Sequence, residues 1–290
     1  MTAECCPDCA PVAPAATRAR PHWTVLVALA IIAALIVAIV AAPLIAPYDP
    51  DAVDIALRLQ PPGAEHWLGT DHLGRDVFSR LIHGARVSLG AVAVIASLVL
   101  ALGLVVGGLS GFIGGRFDQV VMRTCDVFLT FPTFVLAMFM VGVLGTGMVN
   151  VILAIVLSHW AWYARIVRSL TLSVASRDFI LAARVSGASD LTIFREHILP
   201  GVLAQVLVLT TLDIGHMMLH VSGLSFLGLG IAPPTAEWGV MINDAREFVW
   251  TQPMLIAWPG IAVFLTVMAF NRIGDALRDK LDPAIAAECC

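Results

Sequence analysis

Asp213, His216, Met217 and His220 stand at i, i+3, i+4 and i+7 of a stretch, Gly201 to Gly223, that is otherwise apolar. On a helix that spacing puts all four on one face, in a stripe about 100° wide. Imidazole suits nickel, copper, iron and zinc, a carboxylate suits harder ions, and a thioether is a weak, soft ligand. His216 and His220, one turn apart, can present nitrogens to one ion, with Asp213 as a third ligand or as the acceptor that fixes a tautomer. The same groups can instead hydrogen-bond to neighbouring helices and hold a bundle together. A metallohydrolase would need a general base between the two histidines, as in H-E-x-x-H, and Met217 and Met218 stand there instead.

The stripe lies in a chain whose solvent is mostly lipid. Apolar residues make up 59% of its 290 positions and charged residues 13%, against a soluble average of about half and about a quarter. Ionisable residues at membrane depth cost about 2.5–3.5 kcal/mol each, so they face a bundle interior or a wet pathway. A pathway must release what it binds, so any ion site here is expected to be weak.

Six crossings are predicted. Val25 to Ala42 is an uncharged apolar run near the shortest length that spans a bilayer, and too long for the apolar region of a cleaved signal peptide. A polar stretch from Tyr48 to Arg86 precedes a second span, Val87 to Gly115. Val127 to Ala164 carries no charge and is too long for one crossing, so Gly145-Thr146-Gly147 with Asn150 is predicted to turn it. This gives spans at Phe131–Leu144 with its flanks and at Val149–Val167, followed by Gly201–Gly223 and Met254–Phe270. With the N-terminus inside, twelve Lys and Arg face the cytoplasm and five face out, which places both termini in the cytoplasm. The predicted organisation is a tail at 1–22, a six-helix domain at 23–280 with its core at 86–275, and a tail at 281–290.

Gly103, Gly107, Gly111 and Gly115 recur every four residues in the second span, a ridge that lets another backbone approach closely. The longest cytoplasmic segment, Ser173 to Pro200, is arginine-rich. It is predicted to hold a short helix at Phe179–Arg184, a break at Gly187, and a second short helix from Asp190 to His197 ended by Pro200. The tail cysteines Cys5, Cys6, Cys9, Cys289 and Cys290 form no disulfide framework, and a C-x-x-C pair among them could take up metal. His66, His72 and His83 in the outer loop could meet an entering cation, although solvated loop histidines are the commoner case.

Ala182-Ala183, Gly187 and His197-Ile198-Leu199-Pro200 resemble the loop by which ATP-binding-cassette importer permeases dock on their ATP-hydrolysing subunits. Leu181 stands where that loop has a glutamate. Gly69 to Asp76, Ser225 to Gly230 and Gly274 to Asp279 are similar to signatures of the peptide and nickel permease group, and the resemblance covers nearly all of the chain after residue 22. It implies an all-α, six-span type I importer permease fold, with coupling through Ala182, Ala183, Gly187, His197 and Pro200, the first three allowing close helix approach. Also implied are a second permease subunit, two ATPase subunits, an extracytoplasmic nickel- or peptide-binding protein, contact with membrane lipid and none with nucleic acid, and no cofactor of the chain's own. With no G-x-x-x-x-G-K-[ST] loop in the chain, ATP chemistry belongs to a partner and the chain itself is a transport subunit, not an enzyme. Within the group, the polar stripe and Ser158 to Tyr163 look most similar to the nickel importers, with peptide import as the alternative. Glu237-Trp238-Gly239 resembles the outer gate region where the binding protein docks.

Overall fold

Helices α1 (His22–Ile45), α2 (Val77–Ile113), α5 (Met148–Ala175), α8 (Leu199–Phe226) and α10 (Met254–Leu281) form the bundle of the computed structural model, which describes residues 22–281. The expected tails and their cysteines lie outside the described residues, apart from His22 and Leu281 at helix ends. Among the described residues the fold is all-α. Five continuous helical runs are long and apolar enough to cross a membrane, and α3 (Gly115–Leu129) with α4 (Thr133–Leu144) supplies a sixth if that bent pair counts as one.

The bent pair differs from the single third span expected. Its axis turns by 86° between Leu129 and Thr133. Pro132 has no N–H to donate and disfavours the helical region for Phe131 before it, so α3 cannot run on into α4. At about 1.5 Å per residue, α4 alone falls well short of a hydrocarbon core. The two acidic residues of α3 are paired: Asp118 with Arg168 and Asp126 with Arg165, both arginines on α5. The turn expected after α4 is present. Gly145 and Gly147 take φ of 89° and 129°, and Asn150 Nδ2 donates to the carbonyls of Leu144 at 2.8 Å and Gly145 at 3.2 Å.

The glycine ridge finds its partner within the chain, on α5. A Cβ on Gly103 would lie 2.7 Å from Tyr163 Cβ, one on Gly107 2.2 Å from the Ala164 carbonyl oxygen, and one on Gly111 2.9 Å from the Arg168 carbonyl oxygen. Gly115 is not part of the ridge. It lies beyond the end of α2, at φ 62° and in open space, because Gly114 at φ 68° has already turned the chain.

In the segment expected on the cytoplasmic side, α6 (Asp178–Val185) matches the first predicted short helix, but the second does not end at Pro200. Helix α7 (Asp190–Thr192), a π-helical turn at Ile193–Ile198 and α8 form one continuous run, Asp190–Phe226. Pro200 sits in the first turn of α8, where a missing N–H costs little, and the wider π turn before it gives its ring room.

Candidate functional site

The break at Pro132, the middle of α5 and the middle of α8 together enclose an open cleft of about 520 Å³. Pro132, Thr133 and Phe134 line one side, His159 and Trp162 another, and Leu209, Leu212, Asp213, His216 and His220 a third. Each wall follows from the local sequence. Proline stops α3 and brings Phe134 over the cleft. The α2 glycines let α5 lie close enough to fix Tyr163. Gly215 lets α10 approach α8, with a Cβ there meeting Val267 at 2.9 Å.

Asp213 is at the centre of the polar contacts. Its Oδ2 accepts from His159 Nε2 at 2.8 Å and from the Tyr163 hydroxyl at 3.1 Å, while its Oδ1 faces His216 Nδ1 at 3.5 Å. His220 stacks on Phe134, ring centroids 5.7 Å apart, and stands edge-on to His159 at 6.1 Å. Nδ1 of His159 and Nδ1 of His220 are both buried without a hydrogen-bond partner.

Three of the four stripe residues therefore line the cleft, and Met217 does not. It is fully buried among the core residues that include Met218, Val221 and Leu224. Met217 and His216 occupy opposite edges of the stripe, about 100° apart. Core packing covers the Met217 edge and the cleft opens on the other, where the His216 side chain is 74% exposed. The expectation that all four face one way is corrected to Asp213, His216 and His220. Sequence reasoning missed His159 and Tyr163 as partners of Asp213. The signal was present: His159 lies in the uncharged stretch between Val127 and Ala164 and faces the same burial cost as the stripe histidines. Among the described residues no group of three or more His, Cys, Asp or Glu is arranged to hold a metal ion.

The residues expected to couple lie on an elbow whose inner face is anchored by fully buried Ile180, Ile193 and Ile198, with Phe194 against Phe112 of α2 at 5.0 Å. Gly187, at φ 84°, closes α6: its N–H reaches the Arg184 carbonyl at 3.0 Å, and the Ala188 N–H reaches the Ala183 carbonyl at 3.1 Å. Nothing lies within 4 Å of a Cβ placed on Gly187, so within the chain its requirement is the left-handed backbone. Ala182 and His197 are exposed, Ala183 is half-buried, and Leu181 and Val185 turn apolar surface outward.

On the opposite side of the bundle, Gly69 to Asp76 builds a knot. Arg75, almost wholly buried, donates from Nε to Asp71 at 2.6 Å and from Nη2 to Asp244 at 2.9 Å, tying this loop to α9 (Trp238–Ala245). Glu237 caps α9, accepting from the Val240 N–H at 2.9 Å and from the Ser88 hydroxyl at 2.9 Å, while Trp238 Nε1 donates to the Leu81 carbonyl. Burial pushes the Glu237 carboxyl above its ordinary range. The outer histidines do not gather: His66 pairs with Asp76 at 2.9 Å, His83 contacts the Ser79 carbonyl at 3.0 Å, and His72 lies against the Phe248 ring.

Residues 101–287 match the family of binding-protein-dependent transport system inner membrane components, and residues 15–62 match the N-terminal transmembrane domain of oligopeptide transport permease C. The nickel transport system permease protein NikC of Escherichia coli K12 is 60% identical over 92% of this chain and 96% of its own length. The glutathione transport system permease protein GsiD of Shigella boydii is 44% identical over 92% of this chain and 88% of its own length. Apolar helices arranged as a multi-pass bundle, a short-helix elbow at one end and a polar cleft within the bundle agree with these likenesses: the chain belongs to the binding-protein-dependent transport system inner membrane components, the permease subunits of ATP-binding-cassette importers.

Proposed function

We propose that this chain forms half of the translocation pathway of an ATP-driven nickel importer, beside a second permease subunit. Two ATPase subunits drive it through the elbow at Ala182, Ala183, Gly187, His197 and Pro200, and an extracytoplasmic binding protein delivers the cargo to the outer face. Both termini lie in the cytoplasm. The observation that carries the reading is the mid-bundle cleft lined by His159, Asp213, His216 and His220. Imidazole nitrogen is a ligand suited to nickel, and so few protein ligands give the weak, transient hold that conduction requires. The likeness to a nickel permease at 60% identity supports the same cargo. Passage as a bare ion and passage inside a small chelate both fit a cleft of this size.

Import of short peptides through the same architecture is the rival reading, and uptake separates the two. Cells carrying the complete transporter are expected to accumulate radioactive nickel and not a labelled dipeptide. The double variant His216→Ala, His220→Ala is expected to lose at least about tenfold of nickel uptake, the scale at which a lost metal contact shows. Normal uptake in the double variant would remove those residues from the pathway, and dipeptide uptake without nickel uptake would establish the peptide reading.

A further inference from the structure

Asp213 has the charge to be a metal ligand, yet its oxygens are already engaged. Oδ2 accepts from both His159 Nε2 and the Tyr163 hydroxyl, and Oδ1 faces His216. His159 is the residue this arrangement prepares. When its Nε2–H is donated to the carboxylate, the neutral ring carries its lone pair on Nδ1. That Nδ1 is buried and unpartnered, in a residue only 8% exposed, and Nδ1 of the facing, half-buried His220 is likewise buried and unpartnered. A buried polar atom without a partner has lost its hydration with nothing in return, so a cleft that keeps two of them gains when a ligand satisfies both.

We infer that His159, through Nδ1, is the anchoring ligand for the metal cargo, that His220 is its partner across the cleft, and that Asp213 is a positioning residue which sets the tautomer of His159. Ring centroids 6.1 Å apart leave a gap that one ion can span with bonds of about 2.0–2.1 Å to a nitrogen of each ring. Two imidazoles from different helices leave the remaining coordination positions to water or to the cargo's own chelating groups. Because the two ligands ride on α5 and α8, a movement of one helix against the other breaks the pair and releases the ion. This inference rests on nickel being the cargo.

The test measures initial rates of radioactive nickel uptake, supplied as nickel(II) chloride, by cells carrying the complete transporter. His159→Gln keeps a side-chain N–H where Nε2 lies and so keeps the bond to Asp213, but it has no imidazole lone pair. It is expected to raise KM at least about tenfold while the complex assembles at wild-type yield, with His159→Ala no worse. A residue that merely held Asp213 in place would be rescued by glutamine, so wild-type KM in His159→Gln overturns the inference. Asp213→Asn is expected to raise KM about 10–100-fold, the usual effect of losing a group that orients a metal-binding histidine, with Vmax changing less. If the glutamine variant does not assemble, Asp213→Asn decides alone, and an unchanged KM overturns the inference. A wild type that imports no nickel overturns both this inference and the proposed cargo, whereas nickel import by wild type and His159→Gln alike overturns the inference only.

Discussion

Gly107→Ala adds a single methyl group at the point where α2 and α5 are closest. The new Cβ would lie 2.2 Å from the Ala164 carbonyl oxygen and 2.9 Å from its carbonyl carbon and Cα, all backbone atoms that no rotamer change can move aside. Restoring van der Waals distance requires α5 to withdraw by about 1 Å. Overpacking of this kind costs about 1–3 kcal/mol, and a clash against backbone belongs at the upper end. Alanine's better helix propensity returns about 1 kcal/mol, leaving a net loss of about 2 kcal/mol. The displacement also reaches the cleft, because Ala164 and His159 share α5. The bond from His159 Nε2 to Asp213, now 2.8 Å, would lengthen by about 1 Å and pass the limit of a hydrogen bond. Thermal unfolding of the purified transporter and nickel uptake are both expected to fall. Gly90→Ala is the control: it lies on the same helix with nothing within 4 Å of its Cβ, so it should unfold at or above the wild-type temperature and transport normally. Wild-type stability and uptake in Gly107→Ala, or equal damage in Gly90→Ala, would refute the argument that the ridge sets the position of α5.

Two further outcomes concern the end of the bundle that carries Arg75 and Glu237. Arg75→Ala removes the guanidinium that holds Asp71 and Asp244 most closely and leaves only Arg80, at 3.7 and 3.9 Å, facing both carboxylates, so the loss should fall below the ~3–5 kcal/mol of a fully broken buried pair. Limited proteolysis of residues 46–76 should accelerate, and Arg75→Lys should restore only part of the protection, since a point charge cannot bridge both carboxylates in the same geometry. Glu237 holds its proton more tightly in the fold than in the unfolded chain. The stability this contributes is therefore complete below the ordinary glutamate range, about pH 4.3, and is lost as pH rises through the higher folded value. Melting temperatures taken upward from about pH 4 should fall for wild type and stay flatter for Glu237→Gln, and parallel curves would contradict this.

Much of the bundle was legible in composition alone, because lipid forces backbone groups to pair within each segment and so converts long apolar runs into helices. The turn at Gly145 to Asn150 was legible because only certain residues tolerate its backbone. The Pro132 break was overlooked because the absence of charge, the signal used to find spans there, does not register a missing N–H. Pro200 misled in the opposite direction, since a proline in the first turn of a helix and a proline that ends one look the same in sequence. The stripe was half legible: helical period put Asp213, His216, Met217 and His220 within one arc, but an arc about 100° wide can be split between core and cleft.

The sequence by itself determined that this chain crosses a membrane several times, carries a short-helix elbow before its fifth span and places ionisable groups within apolar spans, because these follow from local hydropathy, backbone propensity and motif. Only the tertiary structure decided which helix the glycine ridge meets, that Met217 belongs to the core, and that His159 and Tyr163 take Asp213. Those pairings join residues about fifty positions apart in sequence, and no periodicity within one helix encodes which face of another will lie against it.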